Sequence, residues 1–225
     1  MDIIRIRLLA LLLAAPMLGS AADWRSSFPV DRKNLGPSGS NPYFILEPGY
    51  QLHYRHATET LTVTVTTETK LIDGVQTRVI LSREEKNGRP VEITRDYYAL
   101  DRTTGDVYYF GEDVDVYKGG KIVSHEGAWL SGVNGARFGL MMPGRITLGD
   151  RFYQELAPKQ AMDRAEVVAA AERVVTPAGT YADCVHFKDT SAIESGPGDH
   201  KWYAPGIGLV KDNRLVLVKI ARIKQ

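Results

Sequence analysis

The sequence has almost no cysteine and almost no net charge. Cys184 is its one cysteine, which excludes an intramolecular disulfide and any site built from several thiolates. The chain carries 28 basic and 27 acidic residues, so no positive excess is available to hold a polyanion, and we expect no nucleic-acid binding. With 225 residues, 44% of them hydrophobic, the chain is long enough and apolar enough for one sizeable domain with a core.

Long apolar runs are missing after residue 22. Residues 1–22 combine a charged start, with Arg5 and Arg7, an apolar run over 8–18, and small residues before Asp23. This order is typical of a secretory signal peptide, and no cysteine follows it for lipid attachment. We therefore expect a periplasmic or secreted protein with no transmembrane segment in the mature chain. An uncleaved membrane anchor is the alternative.

The rest of the chain is punctuated like a β-sheet protein. Residues 23–42 are rich in turn formers over their second half and are predicted to be a flexible leader in front of a domain at 43–225. From residue 59 to 71, apolar residues such as Val63 and Val65 alternate with threonines, which indicates a half-buried strand. Pairs such as Asp-Gly and Asn-Gly separate this strand from its successors. We predict an all-β fold, a single curved antiparallel sheet rolled into a barrel or half-barrel.

Two segments are harder to assign. Residues 126–149 contain a glycine every few positions, which predicts a long Gly-rich loop with one helical turn at most. Residues 161–175 are rich in alanine and glutamate, which favours a helix, but their apolar residues share one parity, which favours a strand. The sequence leaves both alternatives open for this second segment.

Residues that could carry catalysis or bind metal are dispersed. His53 and His56 are three apart on a predicted strand and so point to opposite faces. An acidic group at 112–115 lacks the ligand spacing of a calcium loop. Cys184 and His186 share a strand face, but a buried structural cysteine is the simpler interpretation. We expect no catalytic residue, no metal ligand and no cofactor, while a hydrolase or metal-dependent enzyme stays an alternative.

An aromatic group in two neighbouring hairpins and the Gly-rich segment is the least ordinary feature. Such side chains stabilise a sheet by pairing across strands, or they line an amphipathic groove beside adaptable methionines. On the second interpretation, the ligand-binding candidates are the following residues: Tyr108, Phe110, Trp129, Phe138 and Met141.

Three motifs resemble those of a family of secreted bacterial β-rich envelope proteins with no assigned function. They read GDVYYFGED at 105–113, TPAGTYADC at 176–184 and WYAPGIGLVK at 202–211. The family is similar in architecture to the half-barrels of lipoprotein carriers. The resemblance implies a curved sheet that can hold an apolar ligand, and it implies no catalytic residue.

The first hypothesis is therefore an exported envelope protein, not an enzyme, that binds a hydrophobic or amphipathic ligand or an exported polypeptide. Its partner is a lipid-like or other apolar molecule, or another envelope protein. The alternative from a different class is a structural or interaction module of an envelope assembly without a small ligand.

Overall fold

A computed structural model describes residues 23–224, and the predicted signal peptide lies outside them. A three-residue 3-10 helix (Arg32–Asn34) precedes the strands. The strands are β1 (Leu35–Gly36), β2 (Tyr50–His56), β3 (Glu59–Ile72), β4 (Val75–Lys86), β5 (Arg89–Asp101), β6 (Val107–Lys118), β7 (Lys121–Ser124), β8 (Trp129–Leu130), β9 (Arg137–Met142), β10 (Arg151–Tyr153), β11 (Glu155–Leu156), β12 (Asp163–Thr176), β13 (Gly179–Ser191), β14 (Asp199–Ala204), β15 (Gly208–Asp212) and β16 (Leu215–Arg222).

The strands form one antiparallel sheet that curls into a nearly closed barrel, which confirms the predicted fold class. Its order is β10-β12-β13-β14-β15-β16-β2-β3-β4-β5-β6-β9-β11, while β1, β7 and β8 pair at the side of this path. Most neighbours in the sheet are also neighbours in the chain, as expected of strands joined by hairpins. The first and last strands of the order, β10 and β11, are separated in the chain by Gln154 alone.

The short segment that carries β10 and β11 links the two edges of the sheet. Its first half pairs with β12 and its second half with β9. Between them, the backbone N–H of Gln154 donates to the backbone carbonyl oxygen of Asp163 at 2.8 Å. This single segment therefore occupies backbone groups of part of each edge, residues 164–166 of β12 and 137–138 of β9, which would otherwise be open to pairing with other chains.

Alternation along β3 assigns the faces of the sheet as the sequence predicts. Leu61, Val63 and Val65 line an interior cavity, whereas the Thr62 hydroxyl lies on the opposite face, 3.3 Å from His53 Nδ1. The Asp73-Gly74 turn that follows has a positive φ at both residues, as a tight hairpin turn requires.

The two segments that the sequence left uncertain are both used by the sheet. Residues 163–176 form strand β12, so the strand alternative is correct, and three register shifts interrupt its pairing with β13. Ala171 has a φ of 60° within these bulges. The parity of the apolar residues was therefore the correct guide here, and the helix propensity of alanine and glutamate was overridden by pairing with β13. The Gly-rich segment is partly strand: β8 pairs with β6, and β9 is a member of the barrel wall.

Residues 23–42 differ from the flexible leader that their composition predicts, because they lie along the barrel and bond to it. The Arg25 amide donates to the Arg151 carbonyl oxygen at 2.9 Å, and β1 pairs with the end of β5. Asn41 is 3% exposed, and its amide donates to the Gly105 carbonyl oxygen at 2.8 Å. The turn-forming residues of 31–42 therefore let this segment bend along the outside of the barrel.

Candidate functional site: a cavity inside the barrel

The inner face of the barrel carries a cavity of about 220 Å³ that is partly open to solvent. Its wall is contributed by strands from around the barrel, including Val63 on β3, Met141 on β9 and Leu209 on β15. Residues 43–45, which precede β2, also contribute to the lining. Phe44 packs onto Tyr98 with ring centroids 4.8 Å apart.

Aromatic side chains make up much of this lining. Two of them, on β2, are held by hydrogen bonds that pass over the neighbouring strand β16. The Tyr50 hydroxyl donates to the Ile207 carbonyl oxygen at 2.9 Å, and the Tyr54 hydroxyl donates to that of Leu209 at 2.8 Å. Because their hydroxyls are occupied by backbone, these rings are fixed walls. The six aromatic lining residues are Tyr43, Phe44, Tyr50, Tyr54, Tyr98 and Tyr203.

Two of the six have hydroxyl groups with no hydrogen-bond partner among residues 23–224. Tyr98 is 6% exposed and Tyr203 is 3% exposed, and both line the cavity. Burial raises the pKa of each phenol well above its ordinary value, so both hydroxyls keep their protons. Neither hydroxyl oxygen is itself fully buried, so both groups reach the open space of the cavity and are available to a polar atom there.

A carboxylate is built into the same wall. Asp96 on β5 is 9% exposed and accepts hydrogen bonds from the Tyr109 hydroxyl at 2.7 Å and the Ser82 hydroxyl at 2.9 Å. Burial raises its pKa to about 6, and these two hydrogen bonds oppose the rise. Asp96 therefore binds its proton more tightly than an exposed aspartate does, and its carboxyl borders the cavity.

Lys201 and Asp212 complete the polar part of the lining. They lie opposite each other on β14 and β15. Lys201 Nζ lies 2.9 Å from Asp189 Oδ2. Burial by itself lowers the pKa of Lys201, but Asp189 and the other acidic groups nearby raise that pKa well above its ordinary value. Asp212 has no ion pair within residues 23–224, and burial raises the pKa of its carboxyl. The one lysine of the lining is thus committed to a carboxylate outside it.

More carboxyls lie beside this polar wall within the barrel. Burial raises the pKa of Glu112 to about 9 and that of Glu155 to about 8, and nearby carboxylates, Asp96 among them, add to both shifts. Trp129 is 4% exposed and contacts both the Tyr109 ring, at 5.5 Å between centroids, and the Glu155 carboxyl. The interior is therefore acidic as well as aromatic.

The structure separates the five ligand-binding candidates of the sequence. Met141 lines the cavity, and Trp129 is buried inside the barrel beside it without lining it. Tyr108, Phe110 and Phe138 lie together on the outer face of the wall: Phe138 stacks on Phe110 at 4.8 Å and meets Tyr108 edge-on at 5.5 Å.

The N-terminal segment covers this outer cluster. Phe28 contacts Tyr108 at 5.9 Å between ring centroids, and the Arg32 guanidinium lies 5.9 Å from the centre of the Phe138 ring. These three aromatics therefore anchor the segment over residues 23–34 to the barrel. Ordinary alternation along β6 places Tyr108 and Tyr109 on opposite faces, so only one of these two adjacent tyrosines faces the barrel interior.

The acidic group at 112–115 does not converge. Glu112 faces the interior, Asp113 binds Lys70 at 2.9 Å, and Asp115 lies 3.1 Å from His125. Within residues 23–224, no group of three or more His, Cys, Asp or Glu side chains could hold a metal ion. Cys184 is buried, and burial raises the pKa of its thiol, which opposes the reactive thiolate form.

One polar cluster on the outer face was not anticipated. His186 Nε2 lies 2.7 Å from His200 Nδ1, and Glu172 Oε2 accepts from Trp202 Nε1 at 2.6 Å and lies 3.4 Å from His186 Nδ1. No serine, threonine or cysteine of residues 23–224 is hydrogen-bonded to either imidazole. The cluster therefore lacks the nucleophile that a hydrolase of the Ser-His or Cys-His type requires.

Comparison of the chain with protein-family models, with curated proteins and with solved structures finds no match. Within residues 23–224, no helix has the length and apolar character needed to cross a bilayer.

Proposed function

We propose that this chain is an exported protein that binds one small amphipathic molecule in the cavity of its barrel. One observation carries the proposal: the cavity combines apolar walls with the hydroxyls of two buried tyrosines, Tyr98 and Tyr203, which face it and have no partner among residues 23–224. A concave, mostly apolar space with a few convergent polar groups is the usual form of a small-molecule site.

The volume of the cavity indicates how much of a ligand fits inside it. An engineered protein cavity of about 150 Å³ holds one benzene molecule. At about 220 Å³, the cavity of this barrel suits one substituted ring or a short branched chain. Because the cavity is partly open to solvent, a larger lipid or a polypeptide would insert one group of this size and leave the rest outside.

Benzyl alcohol is a suitable neutral probe, since it has an apolar ring and one hydroxyl for the tyrosines. We expect saturation-transfer NMR to show its ring protons contacting the protein. Val63→Trp places an indole in the cavity and should abolish the signal. Thr60→Trp adds the same side chain to the outer face of β3, at a similarly half-buried position, and should leave binding intact.

Both tryptophan variants must keep the circular dichroism of the parent. Equal loss of binding in the two variants, or no binding by the parent, would overturn the proposed site. The export part of the proposal has its own measurement: the mature protein should have an intact mass beginning at Ala22 or Asp23, and a full-length mass would contradict it.

An interaction module without a small ligand is the second candidate, and one observation favours it. The hairpin of β6 and β7 ends in Ile122 and Val123, which are 48% and 58% exposed. If the outer surface were the functional one, Ile122→Ser should abolish in-cell cross-linking to a partner protein, whereas Val63→Trp should leave the cross-link unchanged.

A further inference from the structure

The polar lining of the cavity indicates the charge of its ligand. Two carboxyls, those of Asp96 and Asp212, line it. The lining lysine, Lys201, is paired with Asp189 at 2.9 Å. Lys201 also lies opposite Asp212, and its charge lowers the pKa of both lining carboxyls. One lysine thus faces the carboxyls of Asp96, Asp189 and Asp212, which leaves the polar side of the cavity with an excess of acidic groups.

The aromatic lining also favours a positively charged group in the cavity. The face of an aromatic ring carries negative electrostatic potential, so several rings around one space stabilise an ammonium group and not a carboxylate. Tyr50 and Tyr54 are fixed by their hydrogen bonds to backbone. Tyr98 and Tyr203 add unpartnered hydroxyl oxygens, which can accept hydrogen bonds from an N–H donor.

We propose that the ligand is a small cationic amine, with an apolar body among the aromatic walls and an ammonium group beside Asp96 and Asp212. This inference rests on the proposed function, because it names the chemical class of the molecule in the same cavity. An anionic amphiphile such as a fatty acid would place its carboxylate beside two others and should be rejected.

Asp212 is the better of the two carboxyls for a test. Asp96 accepts hydrogen bonds from Tyr109 and Ser82, so a change there disturbs the wall. Asp212 has no hydrogen-bond or ion-pair partner among the described residues, so Asp212→Asn removes charge and strands no donor. Asp150→Asn is the matched control, since Asp150 is also half-buried but does not line the cavity.

The experiment compares three probes that share one ring: benzylamine, benzyl alcohol and benzoate, titrated into the mature protein at about pH 8 and low ionic strength. We expect benzylamine to bind at least about tenfold more tightly than benzoate, with benzyl alcohol between them. Asp212→Asn should reduce the ratio of the benzylamine and benzoate affinities by about tenfold, and Asp150→Asn should leave it unchanged.

The outcomes separate this inference from the proposed function. If benzyl alcohol binds but benzoate binds as tightly as benzylamine, the assignment of a cationic ligand is wrong and the cavity remains a binding site. A preference for benzylamine that survives in Asp212→Asn overturns the role given to that carboxyl. If none of the three probes binds, the proposed function itself fails.

Discussion

Replacement of one buried carboxyl, Glu155→Gln, should change how the stability of this protein depends on pH. Glu155 lies within the barrel, where burial is the main cause that raises its pKa from 4.5 to about 8. The charges of Asp163 and Asp96 add to this rise, while Lys201 and the contact with Trp129 oppose it. The ionised form is therefore much less stable in the folded protein than in the unfolded chain.

The direction follows from proton binding. Between pH 4.5 and about 8, Glu155 keeps its proton in the folded state and loses it in the unfolded state. The folded state then binds more protons, so the free energy of unfolding falls as the pH rises through this window. The two pKa values differ by about 3.5, and each unit corresponds to about 1.4 kcal/mol, so the loss approaches about 5 kcal/mol.

Glutamine has nearly the same shape as glutamic acid and carries no charge at any pH. Glu155→Gln should therefore unfold at a similar denaturant concentration to the parent at about pH 5, and should be more stable than the parent by up to about 5 kcal/mol at about pH 9. Urea denaturation followed by tryptophan fluorescence at both pH values gives the two differences.

Glu126→Gln provides the control, because Glu126 is exposed after β7 and its replacement removes the same charge from the surface. This variant should follow the parent at both pH values. If Glu155→Gln and the parent lose stability in parallel between pH 5 and pH 9, the carboxyl is not held protonated in the barrel and the reasoning is refuted.

Three further changes test the packing of the barrel. Trp129→Ala should cost about 3–5 kcal/mol by thermal melting, because the ring is 4% exposed, and a small shift would show that it is not part of the core. Gly111→Ala should be severely destabilising, since Gly111 has a φ of 124° and an added Cβ would come within 3.0 Å of backbone atoms. Gly120→Ala should cost only about 1 kcal/mol, because Gly120 has a positive φ but lies in open space. Similar melting temperatures for these two variants would contradict the prediction. Lys201→Met should cost about 3–5 kcal/mol in urea denaturation, because it leaves Asp189 buried without its partner. Adding Asp189→Leu to this variant should restore most of the lost stability. If it does not, loss of the ion pair is not the cause of the destabilisation.

Local sequence signals were sufficient to predict the strands and the turns that separate them. The alternation of β3 and the turns at Asp73-Gly74 and Asn87-Gly88 depend on neighbouring residues alone, and the structure confirms them. Side chains alternate along any strand, and glycine or asparagine adopts positive φ without help from distant contacts. For the same reason the all-β class was predictable.

The members of the candidate site were not predictable in this way, because a β-bulge inverts the faces of a strand. On β5, Asp96 and Tyr98 are two residues apart, but their partners on β6, Glu112 and Tyr109, are three apart. The extra residue on β6 places both partners inside the barrel, although their parities differ. A parity rule that is applied along the whole strand therefore misplaces one of them.

Local patterns along the chain are enough to specify a sheet of hairpin-linked strands with many aromatic side chains. Long-range strand pairing is needed to place Tyr98 and Tyr203 at a cavity, and Tyr108 and Phe138 outside it, where they anchor the N-terminal segment. Barrel closure also brings Asp96 and Asp212 to one cavity from positions more than one hundred residues apart. The inner face of a curled sheet is defined by the pairing of distant strands and by their bulges, and neither is encoded in any one strand.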